Sequence, residues 1–127
     1  MRRGDPSTSS SRNQNNDVPV FRYSDILLMK AEALLRTPNP TGALAIVNLI
    51  RAKRGATALG AVDLNVLLDE RGRELWWEGW RREDLIRFGK YLGAWQEKAA
   101  DNAKNLLFPI PSSQLAVNPN LVQNSGY

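Results

Sequence analysis

Apolar and polar residues alternate with the period of an α-helix along two stretches in the first half of the chain. Apolar residues cover more than one face of residues 23–36, which predicts a helix buried on two sides. A second helix is predicted over residues 41–53, with Thr41 as its N-cap and Gly55 just after its C-terminus. Because two prolines within residues 37–40 end the first helix, the two helices are predicted to form an αα-hairpin.

Residues 67–90 also follow a helical pattern, but with a break in it. Asp63 lies at the N-cap position of this third helix. Gly79 weakens the helix, because glycine costs about 1 kcal/mol relative to alanine. We therefore predict two helical pieces that meet at an aromatic corner. Trp76 and Trp80 are four residues apart and are predicted to face the interior together.

The last third of the chain contains prolines and asparagines that interrupt regular structure. We predict a short helix over residues 94–103 and a single turn over residues 113–116 that Ser112 caps. The irregular, proline- and asparagine-rich C-terminal tail is predicted to be coil that packs across the helices through Leu121 and Val122. Together these elements predict an all-α fold with little or no sheet.

Composition divides the chain into a polar N-terminal segment and one helical domain. Residues 1–17 are almost wholly polar and bury too little apolar surface to fold alone, which predicts a disordered or loop segment. Residues 18–127 are long enough for one domain with a core and too short for two. The hairpin has the form of one tetratricopeptide-like helix pair, but no second copy follows, so a repeat array is not predicted.

Charge and composition argue against several classes of function. The net charge of +4 is dispersed, and the one tight basic cluster, at residues 51–54, argues against nucleic-acid binding, which usually needs a basic stripe. The chain has no cysteine and no histidine, which excludes disulfides, thiol nucleophiles, Cys/His zinc sites and Ser-His-Asp triads. No cofactor and no metal ion are expected. No apolar run reaches the roughly 18 residues of a membrane-spanning helix.

Glu70, Glu74 and Glu78 are spaced four residues apart, so one continuous helix would carry all three carboxylates on one face. Glycosidases use two carboxyl groups as general acid and base. Arginines surround these glutamates, however, and a cationic environment disfavours the protonated carboxyl group that a general acid needs. We therefore predict ion pairs and no enzyme activity. The predicted pairs are Glu32 with Arg36, Asp69 with Arg73, and Glu78 with Arg82.

Two of the four tryptophans are candidates for ligand contact, because the apolar face of a sugar ring suits an indole. Trp77 lies about 100° around a helix from Trp76, which favours a groove or an interface. Trp95 follows Gly93 in a region of weaker pattern, and of the four tryptophans it is the one for which exposure is most expected. The alternative is that all four tryptophans fill the core. Trp77 and Trp95 are the candidate ligand-binding residues; no catalytic, cofactor-binding or metal-binding residue is assigned.

Four passages carry the most distinctive motifs of the chain. Residues 21–33 (FRYSDILLMKAEA) and 45–55 (AIVNLIRAKRG) form the two arms of the hairpin. Residues 70–87 (ERGRELWWEGWRREDLIR) and 109–124 (PIPSSQLAVNPNLVQN) follow them. In this order, over about residues 17–127, they resemble the SusD/RagB family. The departures from the family pattern, which affect local packing, are Trp80, Arg82, Glu83 and Ser125.

The resemblance implies that this chain is the C-terminal portion of a longer protein of the bacterial outer membrane. Members of the family are non-catalytic, all-helical, surface-exposed lipoproteins with tetratricopeptide-like helix pairs. They capture oligosaccharides or other nutrient oligomers and act with a SusC-like TonB-dependent transporter. The implied attachment to the membrane is a lipid anchor on a cysteine that this chain does not contain.

A second hypothesis follows from residues 23–55 alone. An αα-hairpin that holds a peptide or a partner helix in its groove is a free-standing interaction module. The two hypotheses differ in ligand, since the family resemblance implies an oligosaccharide and the module binds a polypeptide.

Overall fold

The computed structural model describes residues 19–127, and the polar segment predicted over residues 1–17 lies outside them. The described residues are helical and form no sheet, although an isolated β-bridge joins Trp95 and Lys98. The prediction of an all-α fold is confirmed. None of the described helices has the length and apolar character needed to cross a membrane. The chain divides into two compact units, the first of which ends at Val62.

The first unit is built on the predicted αα-hairpin. Helix α1 spans Tyr23–Arg36, as its apolar spacing predicts, and helix α2 spans Pro40–Lys53. Small side chains are fully buried on both helices, which permits close packing. The predicted ion pair of Glu32 with Arg36 is confirmed at 2.9 Å. The buried apolar residues of the two helices are Leu28, Ala31, Ala43, Val47 and Ile50.

The start of α2 differs from the prediction, because Asn39 and not Thr41 is the N-cap. The Asn39 side chain accepts a hydrogen bond from the Gly42 N–H at 3.0 Å. Pro40 occupies the first helical position, where no N–H donor is needed and the fixed φ of proline suits the helix. The proline therefore places the cap earlier in the chain. At the other end, Gly55 has φ +69°, as predicted for a residue that follows a helix.

Polar side chains attach the loop after α2 to that helix. The Asn48 side-chain amide donates to the carbonyl oxygen of Leu59 at 2.9 Å and accepts from the Leu59 N–H at 2.8 Å. Arg51 Nε donates to the carbonyl oxygen of Thr57 at 2.7 Å. Helical periodicity does not predict these contacts, because they join a helix to an irregular segment.

The second unit begins with helix α3, Leu64–Glu74, whose predicted N-cap is confirmed. The Asp63 carboxylate accepts a hydrogen bond from a first-turn N–H at 2.8 Å. Helix α4 spans Arg81–Arg87. Between the two helices, Trp77 (φ +67°) and Gly79 (φ +83°) adopt left-handed backbone conformations, which interrupt a right-handed helix. The predicted break at an aromatic corner is confirmed.

A buried ion pair joins α3 to α4. Arg71 Nε donates to Asp84 Oδ2 at 2.8 Å, and both side chains are 3% exposed. Asp84 Oδ1 also accepts from Arg87, at 3.0 Å from Nε and 2.8 Å from Nη2. Because desolvated charges are tolerated only with close partners, this pair fixes how the two short helices meet.

The predicted pair of Asp69 with Arg73 is wrong. Arg73 pairs with Glu70, three residues before it, and Asp69 lies 3.8 Å from Arg81. The chain turns after α3, so that the first residue of α4 reaches back to α3 and takes the place expected for Arg73.

Arg82 does not pair with Glu78 as predicted but contacts the chain that follows α4. Its Nη2 donates to the carbonyl oxygens of Asn105 and Leu106 at 3.0 and 3.1 Å. Its guanidinium carbon lies 4.3 Å from the centre of the Phe108 ring, a cation–π contact. A spacing of four residues brings side chains together only within one helix, and the helix is interrupted between these two positions.

The helix predicted over residues 94–103 is wrong. Alanines in this segment favour a helix locally, but the segment is irregular and Gln96 has φ +46°. A 3₁₀-helix follows at Ala103–Leu106, and helix α5 spans Ser112–Val117. Ser112 is therefore the first residue of α5 and not the predicted cap.

The tail is fixed by polar side chains and not by the predicted packing of Leu121 and Val122, which are 38% and 83% exposed. Gln123 Oε1 accepts from the Ile110 N–H at 2.8 Å, and Gln123 Nε2 donates to the Ile110 carbonyl oxygen at 2.9 Å. The tail therefore pairs with the extended, proline-flanked segment before α5. Two further hydrogen bonds join Asn124 Nδ2 to the Phe108 carbonyl oxygen at 2.7 Å and the Tyr127 hydroxyl to the Leu107 carbonyl oxygen at 2.9 Å.

Candidate functional site

Three of the four tryptophans are exposed on the second unit. Trp76 is 74% exposed, Trp77 86% and Trp95 49%, whereas Trp80 is half-buried. The prediction that Trp76 and Trp80 face the interior together is therefore wrong for Trp76. Their spacing would place them on one face only in an unbroken helix, and α3 ends at Glu74.

The three exposed indoles line one open depression with a volume of about 880 Å³, which we call the indole depression. Both sequence candidates, Trp77 and Trp95, belong to it, and Trp76 joins them. The volume falls in the range of small-molecule sites, about 300–1,000 Å³. Its lining combines the indoles and Leu75 with charged side chains, of which Asp69 and Arg81 are about half exposed. Such a surface can stack against flat rings and hydrogen-bond their polar edges.

Trp77 is presented to solvent by an unusual backbone. Its φ of +67° lies in the left-handed region, where a bulky side chain is rare and costs roughly 1–2 kcal/mol. The turn directs its indole next to that of Trp76, with ring centres 6.4 Å apart and planes at 77°. This edge-to-face arrangement is a favoured geometry for aromatic pairs. A strained residue that buries little surface is typical of a functional position.

Arg81, like Trp76, belongs to the depression but was not predicted from the sequence as a candidate for ligand contact. Its Nη1 donates to the carbonyl oxygen of Leu68 at 2.8 Å, and its Nη2 lies 3.8 Å from Asp69. The guanidinium packs against Gly72, where an added Cβ would lie only 2.7 Å from Nη1. A glycine in the middle of a charged helix was the available signal, since such a glycine often marks a close approach.

Lys98 fastens the loop that carries Trp95. Its Nζ donates to the carbonyl oxygens of Gly93 and Ala99 at 3.1 and 3.2 Å, and it forms a salt bridge with Asp101 at 2.9 Å. The hydrogen bond from Lys98 lowers the pKa of the Asp101 carboxyl below its usual value, and the nearby charge of Lys98 adds to this effect. Lys98 thus adds side-chain contacts to the backbone bridge that joins it to Trp95.

The three glutamates considered for acid–base chemistry do not share one continuous helix, because Glu70 and Glu74 lie in α3 and Glu78 does not. Glu70 is buried and pairs with Arg73, and Glu78 lies beyond the end of α3. Among the residues that the structure describes, no group of three or more acidic side chains is placed to hold a metal ion.

Comparison with known proteins identifies relatives of this chain. The family model described as "SusD family" matches residues 1–105. The starch-binding protein SusD of Bacteroides thetaiotaomicron is 35% identical over 123 residues, covering 89% of this chain and 22% of that protein. The SusD-like protein P38 of Formosa agariphila is 33% identical over 126 residues, covering 89% of this chain and 25% of that protein.

A solved structure shows the same fold. The surface glycan-binding protein A from Bacteroides uniformis aligns with a TM-score of 0.77 and 32% sequence identity, over 88% of this chain and 28% of that one. The chain therefore spans about a quarter of the length of the relatives that it matches.

Proposed function

This chain belongs to the SusD family, and we propose that it is the C-terminal part of a glycan-binding protein of the bacterial cell surface. We place the helical domain over residues 18–127 and the saccharide contact in the indole depression. The observation that carries the proposal is the convergence of three exposed indoles, Trp76, Trp77 and Trp95, on one open surface.

Binding in this site is non-covalent. Sugar rings have apolar faces that stack on indoles and hydroxyl edges that need hydrogen-bond partners. Asp69 and Arg81 line the same depression and supply an acceptor and a donor for such edges. The relative named as a starch-binding protein supports a binding role for this chain.

The family supports a further proposal about the whole protein. A protein of this kind is held at the outer membrane by a lipid anchor and passes captured oligosaccharides to a SusC-like TonB-dependent transporter. The test is the genomic neighbourhood together with co-purification: a transporter gene of this type lies beside the coding sequence, and its product is retained on the tagged full-length protein. A coding sequence without such a neighbour, and a tagged protein without such a companion, contradict the proposal.

Titration of the chain with oligosaccharides tests the saccharide site through tryptophan fluorescence. The ligands are maltoheptaose, cellohexaose and a hexamer of galacturonic acid. Trp77→Ala and Trp95→Ala each weaken binding of the preferred ligand at least tenfold, or about 1.4 kcal/mol. Trp80→Phe is the matched control, because Trp80 is half-buried and does not line the depression. Equal losses in all three variants, or no response to any saccharide, contradict the proposed site.

The groove of the αα-hairpin supports a second candidate function, the binding of an acidic helical peptide. This groove has a volume of about 440 Å³ and combines the exposed apolar side chains of Tyr23 and Leu49 with the cations Arg22, Lys53 and Arg54. All four tryptophans lie outside this unit, so fluorescence anisotropy of a labelled acidic peptide is the suitable measurement. Binding that Lys53→Glu abolishes favours the module, and absence of peptide binding excludes it.

A further inference from the structure

We propose that Arg81 makes the indole depression selective for saccharides that carry an acidic group, either a uronate carboxylate or a sulfate ester. This inference rests on the proposed saccharide site and names the chemical class of its ligand. Two observations support it. One guanidinium has a fixed position beside exposed indoles, and the neighbouring arginines already contact carboxylates or carbonyl oxygens of the chain.

The guanidinium of Arg81 is held in place before any ligand arrives. One nitrogen donates to the carbonyl oxygen of Leu68 at 2.8 Å, which ties the side chain of α4 to the backbone of α3. The absence of a side chain at Gly72 opens the space that the guanidinium occupies, since a Cβ there would lie 2.7 Å from Nη1 and 3.1 Å from Cζ. A donor that is already ordered loses little conformational entropy when it binds an anion.

The other three arginines of the depression have close partners of their own. Arg71 is buried against Asp84, and Arg73 pairs with Glu70. Arg82 donates to two carbonyl oxygens beyond α4 and lies over an aromatic ring.

Arg81 is engaged more loosely than these three. Its nearest carboxylate is that of Asp69 at 3.8 Å, which exceeds the 2.7–2.9 Å of a charge-assisted hydrogen bond. The Arg81 side chain is 47% exposed and that of Asp69 is 58% exposed. Arg81 therefore combines an ordered contact with the backbone of α3 and N–H groups that remain accessible to a ligand.

The planar guanidinium matches the geometry of a carboxylate or a sulfate. Two parallel N–H groups bind two oxygens of such an anion, whereas a neutral hydroxyl group takes one hydrogen bond. A sugar ring stacked on the indoles would then place its acidic substituent against Arg81. Uronates and sulfate esters share this chemistry. The experiment therefore includes one saccharide with carboxylates and one with sulfate esters, which distinguishes the two kinds of acidic group.

The test compares acidic saccharides with neutral counterparts of the same backbone, using the 127-residue chain and its tryptophan fluorescence. Hexagalacturonate is compared with its methyl ester, and sulfated dextran oligomers with unsulfated ones. We expect the chain to bind at least one acidic form at least tenfold more tightly than its neutral counterpart. The preferred pair identifies the acid as a carboxylate or a sulfate.

Three variants assign the preference to Arg81. Arg81→Gln lowers the affinity for the acidic form at least tenfold more than the affinity for the neutral form, and so removes the preference. Gly72→Ala keeps every charge but displaces the guanidinium, so it lowers the preference about as much; alanine also favours the helix, which protects the fold. Lys30→Gln is the matched control, because it removes one charge from an exposed position of α1 and leaves the preference unchanged.

The possible results separate this inference from the function on which it rests. Equal affinity for acidic and neutral forms overturns the inference and leaves the saccharide site standing. An equal loss of preference in Arg81→Gln and Lys30→Gln also overturns it, because general charge attraction then explains the preference. Binding of neither form overturns both. Circular dichroism of each variant verifies that the helices are intact.

Discussion

The unit that ends at Val62 buries aliphatic side chains between two regular helices, whereas the unit that follows adds a buried ion pair to its buried leucines and holds much irregular chain with polar side chains. Leu28 and Val47 are 0% and 1% exposed in the hairpin. In the second unit, Arg71 and Asp84 are equally hidden. Apolar packing is non-directional, while hydrogen bonds and ion pairs fix direction. Directional contacts are what a surface needs when it must hold indoles outward at defined positions.

The two units also differ in what they leave exposed. Four tryptophans lie in the second unit and none in the first. The turns that present them use left-handed backbone at Trp77, Gly79 and Gln96, conformations that a continuous helix does not contain. Irregular backbone is therefore associated with the candidate site, and regular helix with the scaffold. The following changes test this comparison, from the largest expected effect to the smallest.

Loss of the buried ion pair should have the largest effect on stability. Asp84→Ala leaves Arg71 buried without its carboxylate, which costs about 3–5 kcal/mol in the free energy of unfolding. Urea denaturation followed by tryptophan fluorescence measures this loss. The control is Asp69→Asn, which weakens a contact with Arg81 whose side chains are 58% and 47% exposed and costs less than about 1 kcal/mol. Similar losses in both variants would show that burial does not distinguish the pairs.

Release of the tail should have an intermediate effect. Gln123→Leu removes the hydrogen bonds to both backbone groups of Ile110 and should cost about 1–3 kcal/mol. Hydrogen exchange at the Ile110 amide becomes faster as the tail detaches. The control is Val122→Ala, one residue away, which changes an 83% exposed side chain. It should alter the free energy of unfolding by no more than about 0.5 kcal/mol. Unchanged exchange in Gln123→Leu would contradict this account of the tail.

Relief of backbone strain should stabilise the second unit and weaken its binding. Asparagine tolerates the left-handed region better than tryptophan, so Trp77→Asn raises the free energy of unfolding by about 0.5–1 kcal/mol. The same variant loses saccharide affinity. Trp76→Asn is the control, since Trp76 is equally part of the depression but is not among the positive-φ residues. A stability gain in both variants, or in neither, would remove strain as the explanation.

Lowering the pH should have the smallest effect on stability, and this effect is confined to the loop that carries Trp95. The pKa of Asp101 is lowered in the folded chain, so its salt bridge with Lys98 stabilises the loop above the unfolded pKa. That contribution is lost as the pH falls below about 4, through the folded pKa. Trp95 emission reports the change when the other tryptophans are replaced by phenylalanine. In the same background, Asp101→Asn should lack this transition, and a persistent transition would assign it to another group.

Sequence periodicity predicted the elements whose hydrogen bonds are local. Helix α1, the Asp63 cap and the break near Gly79 depend on residues within one or two turns, and all three are confirmed. The predicted helix over residues 94–103 failed because propensity is a weak guide in a short segment, which here forms a turn with Lys98 in contact with Gly93 and Asp101.

The site was predicted only in part, for a related reason. The sequence marked Trp77 and Trp95 as candidates, but their convergence with Trp76 depends on the turn after α3. Arg81 was not foreseen, because its partner Leu68 lies thirteen residues earlier and is contacted through its backbone. A contact between a side chain and a distant carbonyl group leaves no periodic pattern in the sequence. Every residue has the same backbone carbonyl acceptor, so the identity of the residue does not reveal the contact.

The edge-to-face pair of Trp76 and Trp77 has an optical consequence. Two indoles with centres 6.4 Å apart and planes at 77° couple their electronic transitions. Such coupling gives circular dichroism bands of opposite sign, with an amplitude set by the separation and angle of the rings. A ligand that reorients either ring changes these bands, while the helical signal of the backbone stays constant. The depression thus contains its own unlabelled spectroscopic reporter, and occupancy can be followed in a chain without any attached dye.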